Sequence, residues 1–221
     1  MSTFPSEPDQ QFKAYVYEQF ARLGKALSSP ARLILLNILC QGERSVEDLA
    51  ATADLSIANT SRHLQVLKST NLVTVRRAGT HVFYSVTGDK VRLFFDALRD
   101  LALDRLAELR QALSQISDSE TRRDTVSKEE LVEKASGDDA VILDVRPTVE
   151  YQAFHIPGSM SIPIDELNNR LDELVPIRDK ELIVVCRGKY CVLADQAIPI
   201  LRELGLHARR AADGAIEWPT R

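Results

Sequence analysis

Apolar positions in the first half of the chain recur at three- and four-residue intervals. Phe12, Tyr15, Val16, Phe20 and Leu23 fall on one face of a helix. Pro30 opens a second helix at its first position, with Ser28 or Ser29 as cap. That helix carries "ARLILLNILC" and Gly42 ends it. "SVEDLAATAD" predicts a short helix with Ser45 and Asp48 at capping-box spacing, and "LSIANTSRHLQVLKST" a further one capped by Ser56. The period then changes. "LVTVRRAGTHVFYSV" alternates about Gly79, as a β-hairpin does. A long amphipathic helix follows over roughly 90–113, its stripe formed by Val91, Phe94, Phe95, Leu98, Leu101, Ala102, Leu109 and Leu113.

The second half reads differently. "AVILDV" and "LIVVC" are short, apolar and β-branched, as strands buried on both faces are. "IDELNNRLDELV" and "VLADQAIPILRELG" read as helical segments between and after them. This predicts an α/β domain with a parallel sheet. The polar stretch "SQISDSETRRDTVSKEE" joins the halves, and Ser127 with Glu130 marks a fresh helix start at Lys128. The expected fold is therefore multi-domain. A mainly α part occupies residues 1–117, a linker 118–126, and the α/β part 127–221.

Charge sharpens that division. Residues 1–117 hold 14 Lys and Arg against 12 Asp and Glu; the remainder holds 14 against 20. A net charge of −4 does not exclude nucleic-acid binding, since the local patch decides. No apolar run approaches the ~20 residues of a membrane span, and "MSTFPSEPDQQF" lacks the basic and apolar regions of a signal peptide. Three cysteines, an odd number, make no disulfide framework. The expectation is a cytoplasmic protein with reduced thiols and no membrane partner.

A short helix, a turn, a second helix and a hairpin make a winged helix-turn-helix. Thr60, Leu64 and Leu67 line the inner face of the second helix, leaving Ala58, Asn59, Arg62, His63 and Val66 pointing elsewhere. Asn pairs with adenine edges, Arg with guanine, and a helix N-terminus with phosphate. The hairpin tip "RRAGTH" offers Arg76, Arg77 and His81 to the backbone or minor groove. The plainer alternative is a solvated helix and a charged turn. "SIANTSRHLQVLKSTNLVTVRRAGTHVFYSV" resembles the core of the ArsR-type family of bacterial repressors over about residues 15–110. The likeness lies in the order S-x-x-x-x-S-x-H-L-x-x-L, which holds Ser56, Ser61 and His63, then a basic wing, then Tyr84. It implies a homodimer on double-stranded, palindromic operator DNA, with the first and last helices at the interface. Ser56, Asn59, Ser61, Arg62, His63, Arg76, Arg77 and His81 are the implied DNA-binding residues. Metal-sensing members carry a cysteine pair where this chain has Arg44 and Val46, and others use histidine on the last helix, which here has none. No metal site is expected. Cys40 reads as a packed small hydrophobe.

"IVVCRGKYCVLADQ" carries the second chemistry. A strand delivers Cys186 into a tight loop, and a helix follows at once. Loop and helix N–H groups then converge on the sulfur and favour its anion, with Arg187 and Lys189 adding charge and Gly188 allowing the turn. The expectation is a lowered Cys186 pKa. A Cys-x5-Arg phosphatase loop would need Arg at 192, where Val192 stands. The six residues Cys186, Arg187, Gly188, Lys189, Tyr190 and Cys191 resemble the rhodanese-type sulfurtransferase loop. "VILDVRPTVEYQAFHIPGSMSIPIDEL", with Asp144, Arg146, Glu150 and Tyr151, and "ADGAIEW" resemble that family's other segments over about 127–218. Many such loops have Arg where Cys191 stands, and Gly where Phe154 precedes His155.

The resemblance implies Cys186 as the catalytic nucleophile, with a covalent persulfide as intermediate and no separate cofactor. Residues 187–191 would bind the persulfide, and Cys191 could resolve it into a disulfide. Sulfur donors and thiol acceptors are the expected small-molecule partners. Asp144 and Arg146 read as structural. Three functions remain open: a regulator that senses or transfers sulfane sulfur, a sulfurtransferase with an independent DNA-binding domain, or a dithiol repressor responding to redox or arsenic.

Overall fold

Two serines set the geometry of the N-terminal part. In the computed structural model, which describes residues 7–117, 120–188, 191–215 and 218, the chain divides into two compact units, Met1–Ala97 and Leu98–Arg221. The first unit opens with α1 (Glu7–Leu27) and α2 (Pro30–Cys40). Ser29 stands at the N-cap of α2 and Pro30 at its first turn, although the serine makes no side-chain cap bond. Strand β1 (Arg44–Ser45) leads into α3 (Val46–Thr52), whose cap Ser45 accepts the Asp48 N–H at 3.1 Å. Helix α4 (Ile57–Ser69) starts the same way, Ser56 accepting the Asn59 N–H at 3.3 Å. Each cap satisfies one of the orphan donors of a helix start.

Strands β2 (Val73–Ala78) and β3 (His81–Val86) form the hairpin, in register from Val73 opposite Val86 to Ala78 opposite His81. Gly79 takes the positive φ of +59° that the two-residue turn requires. Strand β1 pairs with the other edge of β3. Leu35, Leu36 and Leu39 of α2, Leu49 of α3, Leu64 and Leu67 of α4, and Tyr84 and Val86 of β3 close one core. Cys40 lies in that core as a packed thiol. The aromatic side chains of α1 do not: Phe12, Tyr15, Tyr17 and Phe20 are all exposed, Phe12 by 69%.

The long helix expected over 90–113 is two helices, α5 (Asp89–Arg105) and α6 (Ala107–Ser117). The Arg110 guanidinium takes the Asp104 carbonyl at 2.6 Å, the acceptor that an unbroken helix would offer to the Glu108 N–H. Phe95 of its stripe is buried, while Phe94 and Leu101 are exposed.

The second unit holds a five-stranded sheet, parallel in every pairing. After α7 (Glu120–Arg123) come β4 (Thr125–Val126), α8 (Lys128–Ala135), β5 (Ala140–Asp144), α9 (Thr148–Ala153), β6 (Met160–Ser161), β7 (Glu181–Val185), α10 (Leu193–Glu203) and β8 (Ala208–Ala211). Their spatial order is β4-β8-β7-β5-β6. Residues 120–126, read in the sequence as linker, carry α7 and β4 in the structure. Val126 is fully buried and pairs with Ala211, so a segment that is polar in composition still supplies an edge strand. "IDELNNRLDELV" is likewise no α-helix but two 3-10 segments, Leu167–Asn169 and Leu171–Ile177, the second containing Pro176. Proline cannot donate the backbone hydrogen bond a longer helix needs.

Strand alternation divides the core in two. Leu182 and Val184 of β7 and Leu143 of β5 pack with Ala194, Ala197, Ile198 and Leu201 of α10. Ile183, Val185 and Ile142 pack on the opposite face with Val126, Leu131 and Ala215, and Trp218 covers that cluster. Cys186 continues the first series, so its sulfur emerges on the α10 face at the C-terminal end of β7. That end is where parallel sheets place their chemistry.

Beside it, the fully buried Arg146 binds Asp144 through Nη2 at 2.7 Å and Nε at 3.0 and 3.1 Å, and donates to the Phe154 carbonyl at 2.7 Å. The pair ties the end of β5 to the loop after α9, the structural role the sequence suggested. Removing one partner strands the other charge without solvent. Asp144→Ala is therefore expected to destabilise this unit by about 3–5 kcal/mol. Urea unfolding followed by fluorescence of Trp218, the chain's single tryptophan, checks it.

Candidate functional site

Two faces carry candidate chemistry, one in each unit. In the first, Thr60, Leu64 and Leu67 of α4 are buried as the sequence predicts, which turns Asn59 and Arg62 outward into solvent. Ser61 and His63 are half-buried on its flanks. Ser56 is exposed, but its hydroxyl is already engaged as the cap. At the wing, Arg77 and His81 are exposed. Arg76 is exposed too, yet Glu43 holds it through Nε at 3.1 Å and Nη2 at 2.5 Å, and it lies over Phe83, 4.7 Å from the ring centroid. The hydrogen bond from Arg76 holds the Glu43 carboxyl below its usual range. Sequence reading missed Glu43, which lies 33 residues away and becomes a neighbour only when β1 pairs with β3. Tyr84 is buried, and its hydroxyl accepts from Gln65 of α4 at 3.3 Å, tying recognition helix to wing.

In the second unit the strand β7 runs straight into the cysteine loop. Cys186 is 1% exposed, whereas Cys191 is half-buried at the entry to α10. Lys189 and Tyr190 lie outside the described residues. The loop folds back on the Gly188 carbonyl, which receives the Cys191 N–H at 3.0 Å, the Cys186 thiol at 3.8 Å and Arg210 Nη2 at 2.8 Å. Gly188 has a φ of +101°, a conformation that glycine adopts without strain. Gly214 lies directly against this turn. A Cβ there would stand 2.6 Å from Arg187 C and Gly188 N. That close approach is the physical content of the glycine in "ADGAIEW".

The two thiols interact, and this changes the expectation for Cys186. The interaction with Cys191, together with burial, pushes the Cys186 pKa well up, against the Arg210 charge and the Gly188 N–H. Cys191 moves the other way, to about 6. The interaction with Cys186 is the main cause, helped by the N–H groups of Arg187 and Leu193 and by the Arg187 charge, against burial. The converging amides expected around Cys186 therefore serve Cys191 more than Cys186. Two interacting thiols hold one negative charge more readily than two, because a second would meet the first. The charge rests on the sulfur with more amide donors.

Arginines brace the loop through carboxylates and backbone carbonyls. Arg187 forms a bidentate pair with the buried Glu150, Nη2 to Oε1 at 2.6 Å and Nε to Oε2 at 3.0 Å. Behind the loop, Asp195 of α10 takes Arg210 on Oδ1 at 3.1 Å and Arg122 on Oδ2 at 2.5 Å. Each of these arginines also donates to the Cys191 carbonyl at 3.2 Å. None of Arg122, Asp195 and Arg210 stands out in sequence, since "TRR", "ADQ" and "ARRA" look like ordinary surface chemistry. Among the described residues no three His, Cys, Asp or Glu side chains cluster as a metal site would need. No single described helix is long and apolar enough to cross a membrane.

The chain is similar to known proteins along most of its length. Residues 29–75 match the family described as "Bacterial regulatory protein, arsR family", and residues 127–218 match "Rhodanese-like domain". The HTH-type transcriptional regulator Rv0324 of Mycobacterium tuberculosis is 40% identical over 206 residues, 93% of this chain and 89% of that protein. Among solved structures, the homodimeric winged helix-turn-helix DNA-binding domain (fragment 1–100) of Mb0332 from Mycobacterium bovis is 36% identical. It covers 49% of this chain and 95% of its own, with a TM-score of 0.42. A rhodanese-related protein from Thermoplasma volcanium is 29% identical and covers 42% and 86%, with a TM-score of 0.37.

The sulfur pair makes a direct prediction. Thiolate is the alkylated form, so iodoacetamide labelling of Cys191 should climb as pH rises through about 6 and level off near neutrality. Cys186→Ala removes the interacting thiol and moves that climb to higher pH. Peptide-resolved mass spectrometry reads the two profiles. A wild-type Cys191 profile rising only above about pH 8, like an ordinary thiol, would remove the ionised pair.

Proposed function

Since the chain belongs to the arsR family of bacterial transcriptional regulators and carries a rhodanese-like domain in the same polypeptide, we propose that it is an operator-binding repressor governed by sulfane sulfur on its cysteine loop. The observation that carries this reading is the geometry of the cysteine loop: Cys186 buried at the end of β7, Cys191 at the entry to α10, and the turn between them closed on the Gly188 carbonyl by the Cys191 N–H and Arg210. A lowered Cys191 pKa supplies a base beside the Cys186 thiol near neutral pH.

The chemistry is ordinary thiol exchange. The Cys186 proton moves to Cys191, leaving Cys186 as the thiolate. Cys186 attacks the outer sulfur of a donor such as thiosulfate or polysulfide. A new S–S bond forms, the donor's S–S bond breaks, and sulfite or a shortened polysulfide leaves with the electron pair. The persulfide on Cys186 then either passes its outer sulfur to an acceptor thiol or reacts within the loop. In the second case the proton passes from Cys191 back to the outer sulfur, the Cys191 thiolate attacks the Cys186 sulfur, a disulfide forms, and the outer sulfur leaves with the electron pair as HS⁻. The ionisation of Cys191 favours this resolving step. The Gly188 N–H, which faces the Cys186 sulfur, would help hold the persulfide anion.

On the DNA side the chain acts as a homodimer. The exposed aromatic stripe of α1 supports this, because four large rings on one helix need a partner surface. Asn59, Ser61, Arg62 and His63 of α4 meet base edges in the major groove, Ser56 orders the helix start, and Arg77 and His81 of the wing meet the backbone. Arg76 joins them only by leaving Glu43. An enzyme reading, in which sulfurtransfer proceeds independently of DNA, is favoured by the same loop geometry and separates from the first by experiment.

Operator gel shift at fixed salt decides between them. Polysulfide should change wild-type operator affinity about tenfold, within the usual range of coupling between sites. Cys186→Ser should not respond. Unchanged affinity while mass spectrometry finds Cys186 persulfidated would overturn the regulatory reading, and cyanide-dependent turnover of thiosulfate lost in Cys186→Ser would establish the enzyme. A second expectation concerns DNA alone. Arg77→Ala should reduce the salt dependence of operator binding by about one counterion, read from affinity against salt concentration.

A further inference from the structure

Arg122 stands five residues before the rhodanese-like match begins, yet it reaches the sulfur loop. Its side chain is 8% exposed. It binds Asp195 through Nη2 at 2.5 Å and Nε at 3.1 Å, and the Cys191 carbonyl through Nη2 at 3.2 Å. Arg210 approaches the same carbonyl and the same carboxylate from β8. The cysteine carbonyl is therefore gripped from two elements at once, and one of them is α7. Helix α7 packs in turn on α6, on α10 and on β8. Helix α6 follows directly from α5, the helix in which the division between the two compact units falls.

A backbone carbonyl held by charged donors is a sensitive reporter of its own peptide. A sulfur atom added at Cys186, or a bond from Cys186 to Cys191, must move Cys191, because Cys191 already contacts the same small turn through the Gly188 carbonyl. Moving Cys191 alters its carbonyl's fit to Arg122 and Arg210. Arg210 is anchored on Gly188 as well and can follow the loop. Arg122 is fixed to α7, so that helix receives the displacement.

We infer that Arg122 is a positioning residue of the sulfur loop and the contact through which a change at Cys186 and Cys191 reaches α7. The inference rests on the sulfur-responsive reading above and adds the residue that carries the response. Charge-assisted hydrogen bonds to a carbonyl and a carboxylate lose most of their directionality when guanidinium is replaced by a single-headed donor.

The test uses the full chain with Arg122→Gln, Arg122→Lys and Cys186→Ser, and inorganic polysulfide as probe. Arg122 is not among the residues proposed to contact DNA, so Arg122→Gln should bind operator as wild type does before treatment. After treatment it should lose at least about five-fold of the wild-type change in affinity. Its Cys191 alkylation rate at pH 6 should fall about tenfold, as a displaced loop sulfur loses its amide donors. Arg122→Lys keeps the charge and should recover part of both, and it carries the test should the glutamine variant fold poorly. The inference is overturned if the Arg122 variants keep the wild-type alkylation profile and full operator response while Cys186→Ser loses the response. If Cys186→Ser responds like wild type, the sulfur reading itself falls, and the two failures are told apart.

Discussion

Arg210 and Arg122 reach the Cys191 carbonyl from two different elements, and the conformation of the sulfur loop follows from those hydrogen bonds. A loop at the end of a buried parallel strand has carbonyls that no ladder serves, and buried carbonyls must find donors. Here charged guanidinium groups bind them from behind, with Asp195 fixing both. The turn can then present N–H groups forward, onto the sulfurs. Gly214 completes the arrangement by leaving room where any side chain would collide with the Arg187–Gly188 peptide. The ionisation of the thiol pair therefore starts from the two cysteines' own interaction and is reinforced by the scaffold's amides and the Arg187 charge.

The winged-helix unit applies the same economy to a different end. Serine caps at 45 and 56 fix where α3 and α4 start, and three buried residues fix how α4 is rotated. The exposed side chains of α4 then have no freedom of facing. The Glu43–Arg76 pair sets a different kind of condition on the wing. An exposed ion pair is weak and screened by salt, so phosphate can compete for Arg76, at the cost of releasing Glu43. The wing thus presents one cation, Arg77, exposed to solvent and one, Arg76, already held by a carboxylate.

Elements that depend on local pattern were legible in the sequence, and elements that depend on distant partners were not. The caps, the hairpin about Gly79, the inward face of α4 and the two central strands all follow from spacing of a few residues. The break at Leu106 does not, because it turns on one guanidinium choosing a carbonyl six residues back. Residues 120–126 looked like linker because edge strands of two residues leave almost no periodicity. At the site, the strand–loop–helix around Cys186 was readable and the ownership of its charge was not. The sequence ranked Cys186 as the ionised thiol by its place after the strand. Burial and the interaction between the two thiols reverse that order, and neither is written in spacing. Arg122, Asp195 and Arg210 were invisible for the same reason, being joined across 15 to 73 residues of chain.

The alternation along β7 has one more implication. Leu182, Val184 and Cys186 share a face only because an even number of steps separates them. Adding or deleting a single residue within Glu181–Val185 would send the sulfur through the sheet to the side of Ile183 and Val185, away from α10, Asp195 and the two arginines. The loop beyond Cys186 answers to geometry. The strand before it answers to parity. Descendants of this sequence can therefore remodel what the cysteine reacts with far more freely than they can change the length of the strand that delivers it.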